Sequence, residues 1–354
     1  MTSMKCCEKT QADTDLGSAL DPVLDRRTAM KGLAGVAVGL AATASGAAYA
    51  QSKKLRLAFC GQLLCVVPYE VTRDRGHFRE EGLDLELVYT RGGSQAMQAL
   101  IGGAVDYAGT AFDVALEAFA NGANIRRIAS TGRLPLFALA VGPKAKDSIK
   151  SLKDLEGKTV GISGLGNADH ILALYLLEQA HADPKKVRFA TLGTNIFDVL
   201  RLGQVDAAMV QEPALTLIVQ AGGGVLVNAM DINDANRMLG GPYEFMGVAV
   251  RADELEKRKD EMQRLVRALS KGLHDTRTIP VMEIVAALPK ELVAGGDRPQ
   301  LIAILEKYRT SLYPDTVKID RAAAERVAEA HRIAGVAKKP ADLNTLLDTS
   351  VANL

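Results

Sequence analysis

Leu55, Leu57 and Phe59 alternate with polar or small residues over positions 54–60, a period of two that predicts a strand. The pattern then becomes helical over residues 68–81, and Gly82 stops it. Residues 84–89 alternate again and predict a second strand. Ser94 stands where an N-cap belongs, ahead of a helix that runs to Leu100 and ends at Gly102-Gly103. Residues 105–108 read as a short strand, 112–120 as a helix and 125–129 as a strand. Strands alternating with helices predict an α/β fold, its sheet rich in parallel strands and covered on both faces.

The same order returns at a constant offset. Leu100 matches Leu200, Gly103 matches Gly203, Val105-Asp106 match Val205-Asp206, and Gly122 matches Gly222, without gaps. Each copy reads helix, Gly-x-Val-Asp, short strand, helix, Gly, strand, which predicts a duplicated pair of lobes. Small-molecule sites favour the cleft between such units. Two continuous apolar runs, 136–141 and 245–250, are read as the crossovers joining the lobes. They set the expected boundaries: 51–141 for the first part of lobe one, 142–244 for lobe two, 245–354 for the return to lobe one. The last stretch is mainly helical. Residues 254–273 and 322–334 are amphipathic, and Pro280, Pro289 and Pro314 break the stretch into segments. These helices are expected to complete lobe one.

The first fifty residues change the picture of where the chain works. Arg26-Arg27 precede a mildly apolar Gly/Ala run that ends in Ala48-Tyr49-Ala50. A charged segment, a weak apolar core and a small-x-small site predict a cleaved export leader, and the paired arginines predict the twin-arginine translocase as its route. The apolar run is shorter than the roughly 20 residues of a spanning helix. The chain has a formal net charge of +1 and no Trp. No basic block predicts nucleic acid or an anionic membrane as partner, and no aromatic platform predicts a sugar. Cys6 and Cys7 fall in the leader, leaving Cys60 and Cys65, which are expected to be two separate buried thiols, the alternative being a short-loop disulfide in an oxidising compartment. No Cys or His cluster has metal-ligand spacing, so no metal and no cofactor are expected.

Several segments carry a resemblance. They are Gly76-His77-Phe78-Arg79-Glu80-Glu81-Gly82-Leu83-Asp84-Leu85, the run from Leu152 to Gly161, Gly164-Leu165-Gly166-Asn167, Gln211-Glu212-Pro213, and the tail Pro340-Ala341-Asp342-Leu343 with Leu347-Asp348. In order and spacing the chain resembles the substrate-binding proteins of ABC importers. The group is that of sulfonate, taurine and nitrate receptors and the proteins related to thiamine-pyrimidine synthesis. The resemblance implies a type II periplasmic-binding-protein fold of two doubly wound α/β lobes joined by two crossover strands. It also implies ligand capture by lobe closure and an ABC permease in the inner membrane as partner. The cysteine-dense motif of the yeast-type pyrimidine synthases is missing from this chain.

In open α/β lobes, ligands sit beyond the carboxyl ends of the strands. That rule selects Gln62, Ser94, Thr110, Phe112 and Thr131 in lobe one. In lobe two it selects Ser163, Gly164, Gly166, Asn167, Gln211 and Glu212. The glycine-rich 163–167 loop opens a helix, whose unpaired N–H groups and positive dipole end suit a small organic anion. Its alternative is a plain N-cap at Asn167. Arg91 and Arg133 are candidate anion partners, or ordinary rim arginines. Phe112 is a ligand contact or a core residue. Asp106 and Asp206, repeated at helix-to-strand turns, read as turn residues rather than an acid/base pair. No nucleophile and base stand in a recognisable pattern, so the chain reads as a solute receptor and not an enzyme. The alternatives are an exported enzyme of the same fold or a ligand-sensing partner of a membrane sensor.

Overall fold

The computed structural model describes residues 54–293, 297–336 and 340–352; the expected leader lies outside the described residues. The first half runs β1 (Leu55–Cys60), α1 (Leu63–Asp74), α2 (His77–Glu80), β2 (Leu85–Thr90), α3 (Gly93–Ile101), β3 (Tyr107–Ala111), α4 (Phe112–Ala120), β4 (Ile125–Ser130). The second runs β5 (Ala138–Val141), β6 (Thr159–Ile162), α5 (Ala168–Gln179), β7 (Arg188–Thr191), α6 (Ile196–Arg201), β8 (Ala207–Val210), α7 (Ala214–Gln220), β9 (Gly224–Asn228). After α8 (Ile232–Leu239) and β10 (Met246–Arg251) come α9 (Lys259–Thr278), α10 (Val281–Ala287), α11 (Lys290–Val293), α12 (Arg298–Leu312), α13 (Arg321–Ile333) and α14 (Leu343–Leu346). Among the described residues no helix is long and apolar enough to cross a membrane.

Two sheets result, ordered β2-β1-β3-β10-β4 and β7-β6-β8-β5-β9. They match strand for strand. In each, one strand runs against the rest: β10 between β3 and β4, β5 between β8 and β9. Even the register slip repeats, at Val248/Ala249 in β10 and Leu139/Ala140 in β5. Asp106 and Asp206 do the same work in each copy. Their carboxylates accept from the backbone N–H of Arg56 and of Thr159, at 2.9 and 2.8 Å. Each thereby ties a helix-to-strand turn to the first strand of its lobe.

The two apolar strands read as crossovers are central strands, each exchanged into the other lobe's sheet. β5 follows β4 in the chain but lies in the second sheet, so the change of lobe falls before residue 138 rather than at 141. Buried on both faces and flanked on both edges, such strands are apolar throughout. The linking segments are 131–137 and 229–245. They hydrogen-bond to one another, with Tyr243 N–H donating to Arg133 O and Ala229 N–H to Phe137 O.

Two further departures have local causes. α1 begins at Leu63, before Pro68, where the helical pattern was expected to start. Pro68 removes the N–H that would bond the Leu64 carbonyl. The Tyr313 hydroxyl donates to that carbonyl instead, at 2.9 Å, so the helix tolerates the proline. The C-terminal helices also do more than complete lobe one. α9 packs on α1 and α2, but α13 lies against both α4 and α5 and so touches both lobes. His331 of α13 pairs with buried Asp113 of α4, Nε2 to Oδ1, at 3.1 Å.

Candidate functional site

The strand ends of the two sheets face a cleft. Its inner part is a narrow chamber of about 40 Å³, lined among others by Cys60, Gln62, Cys65, Phe137, Asp169 and Met246. A wider part of about 300 Å³ shares Gln62, Phe137, Ser163, Asp169 and Gln211 with it and extends to Glu212. Phe137 and Phe245 meet edge to face at 5.8 Å in the two linking segments, forming an apolar wall.

The expected site residues fall into three groups. Gln62, Ser163, Asn167 and Gln211 line the narrow chamber. The Gln211 Oε1 is buried and has no hydrogen-bond partner among the described residues. Ser94 and Asn167 meet across the cleft, where the Ser94 hydroxyl donates to Asn167 Oδ1 at 2.5 Å. Asn167 makes no side-chain cap bond; its Nδ2 donates to Ser163 Oγ at 2.9 Å. The plain N-cap does not describe it: here it latches one lobe to the other while lining the chamber.

The second group holds the cleft without lining its narrow chamber. Thr131 is buried, with its hydroxyl 3.2 Å from that of Tyr69. Thr110 is buried, and its Oγ1 has no partner among the described residues. Gly164 packs so close to Asn167 that a Cβ would lie 2.8 Å from its Nδ2. Glu212 accepts from the Thr216 N–H and hydroxyl at 3.0 and 2.9 Å, opening α7 from within the wider chamber.

The third group is engaged by the protein's own contacts. Phe112 is a core residue, fully buried, with the Arg127 guanidinium 5.8 Å from its ring centre. Arg133 donates to the carbonyls of Ser311 and Thr310 and ties a linking segment to α12. Gly166 keeps the positive φ, +75°, that suits glycine. Its N–H, however, donates to His170 Nδ1 at 3.2 Å.

Asp169 explains why the start of α5 is not an open anion seat. Its carboxylate accepts from the Ser163 N–H and hydroxyl at 2.5 and 2.7 Å. The helix start thus holds an anion supplied by its own first turn. Burial pushes this carboxyl above its usual range, and the Ser163 bonds oppose the shift. α1 and α3 have no acidic residue in their first turns. Their starts, at Gln62 and Gly92-Gly93, line the chamber beside Arg91. The open positive dipole ends are therefore in lobe one.

Sequence reasoning missed Arg127 beneath this floor. It is fully buried, and it donates to Thr110 O and Phe245 O at 2.8 and 2.7 Å, tying β3, β4 and the entry to β10 together. Glu244 lies 3.9 Å from it, also buried. Burial lowers the Arg127 pKa and raises that of Glu244 to about 7, so for both groups desolvation outweighs their mutual attraction. A signal was present: Arg127 shares strand parity with Ile125 and Ala129, on the buried face.

A family model described as NMT1/THI5 like matches residues 66–282. No curated protein matches the chain. Among solved structures, a Bordetella bronchiseptica RB50 protein is 22% identical with a TM-score of 0.76, over 84% of this chain and 95% of that one. A Candida albicans protein described as having the generic periplasmic binding protein fold is 17% identical with a TM-score of 0.68, over 85% and 98%. The periplasmic aliphatic sulphonate binding protein of Escherichia coli is 20% identical with a TM-score of 0.63, over 82% and 95%. The fold is that of the periplasmic binding proteins.

Proposed function

The chain belongs to the NMT1/THI5-like family, and from that premise we propose that it is the periplasmic solute-binding component of an ABC-type importer. It captures a small organic anion in the inter-lobe cleft, releases it unchanged, and passes it to a permease in the inner membrane. The observation that carries the reading is the cleft itself, where a buried Gln211 oxygen stands unpartnered beside two helix starts free of acidic residues. The anionic end lies toward Gln62, Gly93, Ser94 and Arg91. The carbon body lies against Phe137, Phe245 and Met246. Gln211 accepts from a donor on the ligand. The neighbour that binds aliphatic sulphonates supports the ligand class. Closure brings Ser94 to Asn167, with the 131–137 and 229–245 segments as hinges.

A thermal-shift screen of alkanesulfonates and carboxylates, with cationic analogues as controls, tests the ligand class. The best anion should then bind Ser94→Asp more weakly by roughly 100-fold or more, since a carboxylate at that helix start opposes it at a half-buried site. Calorimetry reads the change. Tighter binding of cations, with Ser94→Asp neutral or helpful, rejects the anion and leaves the receptor reading standing. Turnover of the ligand rejects the receptor.

The twin arginine supports export through the twin-arginine translocase, with cleavage after Ala50. Replacing both Arg26 and Arg27 by lysine should leave uncleaved precursor in the cytoplasm, read by fractionation and immunoblot. Normal processing of that variant rules the route out.

A further inference from the structure

Cys60 and Cys65 were expected to be separate thiols, and both are free and buried, at 8% and 4% exposure. Cys60 is the last residue of β1, and Cys65 lies in the first turn of α1. The tight turn between them, closed by the Cys65 N–H bond to Gln62 O at 2.9 Å, brings both side chains to the wall of one narrow chamber.

We propose that Cys60 and Cys65 are a redox-active dithiol in the cleft wall, which exchanges with low-molecular-weight disulfides and closes to an intramolecular disulfide. The two sulfurs have different roles. Hydrogen bonding from Cys65 lowers the Cys60 pKa, helped by the Gln62 backbone and opposed by burial, so Cys60 is the sulfur that ionises. The same bond, with burial, raises Cys65, which keeps its proton longer. A thiolate is the attacking species in disulfide exchange. Cys60 therefore attacks one sulfur of the external disulfide; a mixed disulfide forms and one external thiolate leaves and takes up a proton. Cys65 then gives up its proton, attacks the Cys60 sulfur, and expels the second external thiolate. Two protein thiols are oxidised by two electrons, and one external disulfide is reduced to two thiols.

The chamber gives the reagent its way in, because both cysteines line it. The remaining exposure is small, so exchange proceeds when the lobes part. Oxidation removes the thiol hydrogens from a wall that also presents Gln62 and Met246. The dithiol stands on its own geometry, whether or not the cleft takes an anion.

The test uses the purified full chain and oxidised glutathione. No Lys or Arg lies between Leu57 and Arg73, so one tryptic peptide carries both cysteines, apart from Cys6 and Cys7. After blocking free thiols, the native chain should yield this peptide about 2 Da lighter, with neither cysteine alkylated. It should form at least tenfold faster than from the urea-unfolded chain. Cys65→Ser should stop at a mixed disulfide on Cys60, and Cys60→Ser should leave Cys65 reduced. Dithiothreitol should reverse the wild-type product. A native peptide that stays doubly alkylated while the unfolded chain oxidises overturns the proposal. So does oxidation no faster than in the unfolded chain, or glutathione held on Cys65 in place of Cys60. The wild-type rate decides the matter even if a variant fails to fold.

Discussion

Replacing Arg127 with methionine should cost the protein about 3–5 kcal/mol, the loss typical of breaking a buried ion pair from one side. On a chain of this size that lowers the thermal midpoint by on the order of 10 °C. Three losses combine. The carbonyls of Thr110 and Phe245 lose charged donors inside the core. Glu244 keeps its buried carboxyl without the cation 3.9 Å away. The three strands at the floor of the cleft lose their common tie. Methionine fills much of the volume, so packing alone does not account for the effect. Glu244→Gln in the same chain should recover about half, because the unpaired carboxyl is then gone.

pH separates the electrostatic part from the rest. Burial raises the Glu244 pKa from 4.5 to about 7 in the folded chain. The folded state therefore holds a proton that the unfolded chain has lost, and the associated stability is fully present below about pH 4.5. It fades as pH rises through 7. Without Arg127 the carboxyl loses the neighbour that pulls its pKa down, and the window extends further up. The variant should then lie closer to wild type at pH 5 than at pH 8, and Glu244→Gln should abolish that difference. Differential scanning calorimetry at the two pH values measures both. A deficit equal at pH 5 and pH 8 would mean the Arg127–Glu244 pair has no part in it.

The α/β order and the duplication were legible because they rest on local period and on residues such as Asp106 and Asp206, whose bonds reach only neighbouring strands. The cleft position was legible for the same reason, since strand ends follow from strand direction. What the sequence hid was pairing over distance. The run 136–141 reads as an apolar strand crossing between lobes, and only its neighbours β8 and β9 show which sheet it joins. The 163–167 loop announces a helix start, but nothing local says that Asp169 takes its donors. Asn167 looks like a cap, yet its oxygen bonds Ser94 from the other lobe. Cys60 and Cys65 lie five positions apart, and whether such side chains converge depends on how the turn after β1 enters α1.

Gly272 governs where α1 can lie, and a methyl group there should be among the most damaging small changes in the chain. It stands in the middle of α9, where glycine is poorer than alanine by about 1 kcal/mol in helix propensity. Its presence is explained by Thr72 of α1, which packs against it. A Cβ on residue 272 would lie 1.8 Å from Thr72 Oγ1, 2.7 Å from Thr72 Cβ and 3.0 Å from its Cα. The Thr72 side chain cannot swing aside, because its hydroxyl donates to Pro68 O at 2.6 Å and the residue is fully buried. The helices must move apart, and overpacking of this kind costs about 1–3 kcal/mol. Gly272→Ala should therefore destabilise the protein by about 2 kcal/mol, against the sign its helix propensity predicts. α1 also carries Cys65 to the cleft wall, so the displacement should weaken binding of the screened anion as well. Thr72→Ala removes the Oγ1, the atom nearest to the added Cβ, while the closer approach to the Cβ and Cα of residue 72 remains to be relieved by a smaller shift. In the double variant the alanine at 272 meets a smaller neighbour, and its helix propensity should emerge as recovered stability. Urea denaturation of the four chains in this cycle gives the coupling. Strictly additive costs at 72 and 272 would show that the close approach of α1 and α9 does not depend on that glycine.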